Sequence, residues 1–155
     1  MSHDSWRTPP EFYRVLDAEF EFDLDAAASE ENHLCVYWID KDADALSEPW
    51  EHPVVFCNPP YSQIGAFVKR GYEQSQEHCN TVVMLLPAYT DPKYWSEYVM
   101  KAHEIRFLKG RLSFLDEDGM KKTSARFPSV VVVFKYIKGE FFGKAPLQFV
   151  WDWRV

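Results

Sequence analysis

The sequence predicts a three-layer α/β domain built on a mostly parallel sheet, and three observations predict it. Mostly apolar runs at residues 54–57, 81–86 and 129–134 read as strands buried on both faces. Segments with apolar residues at helical spacing lie between and before them, and such alternation is the signature of a layered α/β sheet. The first of these runs ends in Asn58-Pro59-Pro60-Tyr61, a strand-to-helix loop of the kind where open α/β sheets bind ligands.

The elements follow in order. Thr8-Pro9-Pro10-Glu11 has the form of a helix start, with a hydroxyl cap, a proline at the first helical position and a glutamate three residues on. Phe12, Val15 and Leu16 mark the inward face of that helix. Phe20, Phe22 and Leu24 alternate with acids, which predicts a strand ending at Asp25. Residues 35–39 form another apolar run that fits strand or helix, and only one small element fits between Ile39 and Pro53. After the tetrapeptide, Ser62 opens a helix with Ile64, Phe67, Val68, Gly71 and Tyr72 on one face. Asp91-Pro92 is expected to cap a helix presenting Trp95, Tyr98, Val99 and Ala102. Residues 105–108 read as a strand, 116–119 as a turn, and 147–151 as a last strand.

The chain's 155 residues fit a single domain. No run of about 18 apolar residues is present to span a membrane. The first residues lack the pattern of a secretory signal. Cys35, Cys57 and Cys79 have no metal-ligand spacing, and neither do the five histidines, so no metal is expected. A cytoplasmic, disulfide-free protein is the expectation. The net charge of −7 argues against a simple nucleic-acid-binding module, because duplex affinity comes largely from neutralised phosphates. Yet acids concentrate in the N-terminal third while bases gather from Lys69 to Arg126. That asymmetry suits an enzyme holding a cationic small molecule and a polyanion on different loops, or a weak DNA binder that needs a partner chain such as a second copy.

In the tetrapeptide two prolines fix the backbone, an amide can orient a polar group, and an aromatic ring can stack on a planar one. Those features describe a nucleobase or amide site awaiting a methyl donor. The plainer alternative is a proline-rich turn in which Asn58 satisfies backbone groups and Tyr61 packs as core.

With Trp6-Arg7-Thr8-Pro9, the segment 22–28, Leu46, Trp50, Leu85-Leu86-Pro87-Ala88, the segment 110–114 and the run 130–134, the chain resembles the phage-type DNA adenine methyltransferases. The resemblance implies the Rossmann-like methyltransferase fold in minimal form, with the last hairpin strand of the sheet reversed. It also implies one catalytic domain over residues 1–155 and no separate target-recognition domain. The implied activity is methyl transfer from S-adenosylmethionine to the exocyclic amine of a flipped adenine in DNA. Asn58, Pro59, Pro60 and Tyr61 are then the catalytic residues. The Asn58 side chain and the Pro59 carbonyl would accept the amine hydrogens, Pro60 would hold the spacing and Tyr61 would stack on the base. Trp6, Thr8, Pro9, Asp25, Ala26, Asp42, Asp44 and Asn58 are the implied cofactor residues. Asp25 would face the methionine ammonium, and Asp42 or Asp44 the ribose hydroxyls. Lys109, Arg111, Ser113, Lys121 and Lys122 are the implied DNA contacts, although an exposed basic loop is more often solvated surface. RNA adenine or a protein glutamine amide would suit the same carbonyl pair, and a non-catalytic accessory protein is a third reading.

Overall fold

The computed structural model describes residues 6–122, 125–138 and 145–155. Helix α1 (Pro10–Phe20) precedes β1 (Leu24–Asp25), β2 (Tyr37–Trp38) and β3 (Val54–Cys57). After β3 come a 3₁₀ turn (Tyr61–Gln63), α2 (Ile64–Glu77), β4 (Thr81–Pro87), α3 (Lys93–Glu97) and a second 3₁₀ turn (Val99–Lys101). Strands β5 (Glu104–Leu108), β6 (Ser129–Lys135) and β7 (Leu147–Trp151) complete the described elements.

These strands form one sheet in the order β2-β1-β3-β4-β6-β5-β7. Strand β6 runs antiparallel to both β4 and β5, and every other pairing is parallel. The reversed strand is β6, the second strand of the antiparallel β5–β6 pair, which lies inside the sheet, while β7 adds a parallel edge. Burial explains the placement: Val130, Val131, Val132, Val133 and Phe134 are all covered, whereas Leu147, Phe149 and Val150 are exposed on the edge strand.

Strand alternation divides the core into two faces. Val55, Cys57, Val82, Met84, Val130 and Val132 face α2 and α3 through Phe67, Val68 and Trp95. Phe56, Val83, Leu85, Val131 and Val133 face α1 through Phe12, Tyr13 and Leu16, with Phe114 and Phe127 completing that layer. Tyr61 packs against both clusters, so the loop after β3 is anchored on each side of the sheet.

Several local readings change. Thr8 is not the helix cap: Pro9 occupies that position, without a side-chain cap bond, and the helix begins at Pro10. A residue preceding proline is disfavoured in the α region, so Pro9 stays extended (ψ 128°) and the helix starts one residue later. The helix also continues through Phe20, leaving only Leu24–Asp25 as strand. Val15 is exposed, and Tyr13 takes its place on the inward face. The run at 35–39 supplies a two-residue parallel edge strand, and α3 has five residues without a side-chain cap from Asp91.

Candidate active site

Strand β3 delivers Asn58 to the carboxyl end of the sheet. Cys57 and Pro59 on either side of it are buried, and Pro60 is extended at φ −62° and ψ 134°. The Gln63 N–H then donates to the Pro60 carbonyl at 3.0 Å and turns the chain into α2. Asn58 itself is half-buried, and its Nδ2 donates to the Oγ1 of Thr8 at 3.1 Å. That bond joins the loop after β3 to the segment that precedes α1.

On one side of the tetrapeptide lies a cavity of about 360 Å³, bordered by Thr8, Asp25, Ala26, Asp44, Asn58 and Pro60 among others. Its size is ordinary for a small-molecule site. Asp25 is 4% exposed, and its two carboxylate oxygens accept N–H bonds from Ala27 (3.3 Å) and Leu34 (3.1 Å). Burial overrides those donors and pushes the Asp25 pKa up to about 6. The adjacent Ala26, Ala27 and Ala28 keep this wall low. Trp6 borders the same cavity and packs against Phe114 and Phe127 at ring distances of 5.5 and 6.4 Å. The turn at 116–119 reaches over its rim, where the Arg7 guanidinium donates to the Glu117 carbonyl.

The tetrapeptide also borders a second cleft, of about 490 Å³, through Tyr61, together with Tyr89, Tyr94, Arg126 and Phe127. Burial raises the Tyr61 pKa above the ordinary phenol range, so its hydroxyl stays neutral. Phe127 meets Tyr61 edge-on at 5.4 Å and Tyr89 at 6.0 Å, which makes the cleft wall aromatic.

Of the eight residues expected at a cofactor, Trp6, Thr8, Asp25, Ala26, Asp44 and Asn58 border the first cavity. Pro9 is buried at the helix start, and Asp42 is exposed and outside the lining. Asp40 lines the cavity in its place. A signal for it was present, because Asp40 follows β2 by two residues, at a strand's carboxyl end. Asp44 also holds its own turn, accepting from the Leu46 N–H at 3.1 Å and the Ser47 hydroxyl at 2.9 Å.

The basic positions lie apart from both spaces. Lys109 is exposed with Asp152 at 3.5 Å, and Arg111 donates to the Ala125 carbonyl at 3.2 Å. Ser113 and Lys122 are half-buried, Lys121 is exposed, and none of these five borders either space. Arg126, the last base of the basic stretch and not among the expected DNA contacts, borders the second cleft.

The profile of the family described as DNA N-6-adenine-methyltransferase (Dam) matches residues 1–145. The chain belongs to that family. Two relatives carry the name DNA N-6-adenine-methyltransferase. The one from Escherichia phage T1 is 33% identical, over 87% of this chain and 64% of its own length. The one from Haemophilus phage HP1 is 32% identical, over 85% of this chain and 79% of its own. The chain thus spans just under two thirds of the first relative. Its α/β sheet is the Rossmann-like methyltransferase arrangement, and membership in the family implies a methyl donor. Among the described residues no helix is long and apolar enough to cross a membrane, and no group of three or more His, Cys, Asp or Glu could hold a metal ion.

Proposed function

We propose that this protein is a site-specific DNA methyltransferase that transfers a methyl group from S-adenosylmethionine to the exocyclic amine of adenine. The observation that carries the reading is the position of Asn58-Pro59-Pro60-Tyr61 between two spaces of different chemistry, one with a buried carboxylate and one walled by tyrosines.

The first cavity suits the cofactor. Asp25, buried with a raised pKa, gains from any cation that restores its charge, and an α-ammonium group is one. Asp40 and Asp44 offer acceptors to vicinal hydroxyls, while Ala26 and Ala27 allow close approach. Trp6 and Thr8 complete the wall. Bound there, S-adenosylmethionine supplies an electrophilic methyl group on a sulfonium.

The protein's part is positioning and charge complementarity. The lone pair of an adenine amine is delocalised into the ring. Two acceptors, the Asn58 Oδ1 and the Pro59 carbonyl, draw its hydrogens aside and favour a pyramidal nitrogen. After transfer the nitrogen is acidic and loses its proton to water without a dedicated base. Tyr61 and Tyr89 give an extruded base aromatic surface in the second cleft, and Arg126 offers a cation to its phosphate. Lys121 and Lys122 remain candidates for contacts to flanking phosphates.

Tritiated-methyl transfer to adenine-containing DNA, RNA and glutamine peptides tests the proposal. Label in DNA as N6-methyladenine is the expected result. Label confined to RNA or peptide would keep the cofactor site and overturn the DNA assignment. No transfer to any acceptor would favour an accessory role.

A further inference from the structure

Thr8 has lost the role its sequence context suggested and holds another. It is 5% exposed and makes no cap bond to α1, yet its hydroxyl receives the Nδ2 of Asn58 at 3.1 Å. The two residues are 50 apart in sequence, and both border the first cavity. A primary amide presents a donor end and an acceptor end on one planar group, so a half-turn exchanges them. Only the acceptor end can take a hydrogen from an amine. With Nδ2 engaged by Thr8, no other hydrogen bond of the Asn58 side chain occurs among the described residues, and its Oδ1 remains available. Pro9 and Pro10 restrict the backbone that carries Thr8, and the buried Pro59 restricts the backbone after Asn58, so both ends of the bond are held.

We infer that Thr8 is a positioning residue, whose hydroxyl pins the Asn58 amide plane in the arrangement with Nδ2 on Thr8 and Oδ1 left for the acceptor amine. The inference deepens the methyltransferase reading and rests on it. Loss of the hydroxyl frees the amide to rotate and leaves bound substrate with a misoriented acceptor, so turnover falls while binding holds. A residue serving only as cavity wall would instead alter cofactor affinity.

The experiment compares the parent with Thr8→Val, Thr8→Ser and Thr8→Ala. Valine keeps the shape without the hydroxyl, serine restores the hydroxyl, and alanine carries the same expectation if valine does not fold. In the ligand-free protein, the side-chain amide resonances of Asn58 are identified by their loss in Asn58→Asp and followed by 15N–1H NMR. Thr8→Val should shift them and speed their hydrogen exchange, and Thr8→Ser should not. In steady state, kcat for Thr8→Val should fall roughly 10- to 100-fold, as expected for one lost orienting hydrogen bond. The KM for DNA and the dissociation constant of S-adenosylmethionine should stay within about threefold, with Thr8→Ser close to the parent in kcat. Unchanged Asn58 resonances, unchanged kcat, or a loss restored by saturating S-adenosylmethionine would each overturn the inference. An inactive parent would instead overturn the methyltransferase reading, and the resonances would still report whether the anchor exists.

Discussion

At the scale of single residues, the site combines one neutral polar group with one strained charge. In the proposed mechanism Asn58 acts through geometry, so Asn58→Ala should lower kcat by roughly 100- to 1000-fold, the usual effect of removing one preorganised polar group from a reacting centre. Calorimetry should find S-adenosylmethionine still bound to that variant, and undiminished methylation would refute the mechanism. Asp25 acts through charge. Its folded pKa, pushed up to about 6 by burial, lies above the ordinary carboxylate value, so the folded state favours the protonated form. The sign follows: this favourable contribution is complete below about pH 4 and is lost as pH rises through about 6, on the order of 3 kcal/mol. Thermal melts of the ligand-free parent should therefore lose stability across that window relative to Asp25→Asn, which has no charge to desolvate. A cation seated beside Asp25 reverses the preference, so S-adenosylmethionine should bind more tightly at pH 7 than at pH 5 in the parent and with little pH dependence in Asp25→Asn. Parallel profiles for the two proteins would remove Asp25 from the cofactor site.

At the scale of elements, α2 supports the tetrapeptide by lying close on the sheet. A Cβ at Gly71 would sit 2.8 Å from the Met84 sulfur and 3.4 Å from Val82, both fully buried. Alanine's helix propensity offers about 1 kcal/mol at such a site, but overpacking a filled core costs about 1–3 kcal/mol. Gly71→Ala should lower stability by about 1 kcal/mol. At Gly65 a Cβ meets only Tyr94, at 3.6 Å, so Gly65→Ala should gain about 0.5 kcal/mol. Denaturant titrations separate the two, and a gain in both would show that Met84 yields freely. The same elements mark what sequence can carry. Strands β3, β4 and β6 and the inner face of α2 were legible because each is specified by its own run of apolar residues. The N-terminal segment was not, because Pro9 preceding Pro10 moved the helix start and released Thr8 for a partner 50 residues away. Val15 misled for a related reason: Tyr13 has a hydrogen-bonding route into the layer through Leu34 and Cys35, which apolar periodicity ignores. The place of β6 inside the sheet depends on pairing with both β4 and β5, a long-range choice that no local pattern encodes.

At the scale of the whole molecule, the charge asymmetry of the chain becomes spatial. Asp25, Asp40, Asp44 and Glu117 border the first cavity against the bases Arg7 and Lys41, and among the described residues Arg126 is the one charged side chain bordering the second. This division matches a cationic donor on one side of Asn58 and a polyanion on the other. The basic side is thinner than its count of residues implies. Arg106 is buried, donating to Glu19 at 2.8 Å and Glu104 at 2.9 Å, while Lys109 pairs with Asp152 and Arg111 braces the Ala125 carbonyl. A molecule of net charge −7 in which, among the described residues, Arg126 is the one cation lining the aromatic cleft should rely on stacking more than on phosphate neutralisation. Each neutralised phosphate steepens the logarithmic dependence of affinity on salt by roughly 0.7 to 0.9. The DNA affinity should therefore fall with a log–log slope no steeper than about −4 between roughly 50 and 200 mM salt, whereas binding of S-adenosylmethionine, which displaces no counterions from a polyanion, should barely change. Arg126→Gln should reduce that slope by about 1. Fluorescence anisotropy on a labelled single strand and on its duplex supplies the measurement. A slope near −8 would contradict the aromatic-cleft account and point to an extended basic interface. If that steeper slope appeared only at protein concentrations where sedimentation shows a dimer, the second copy would be the source of the missing cations.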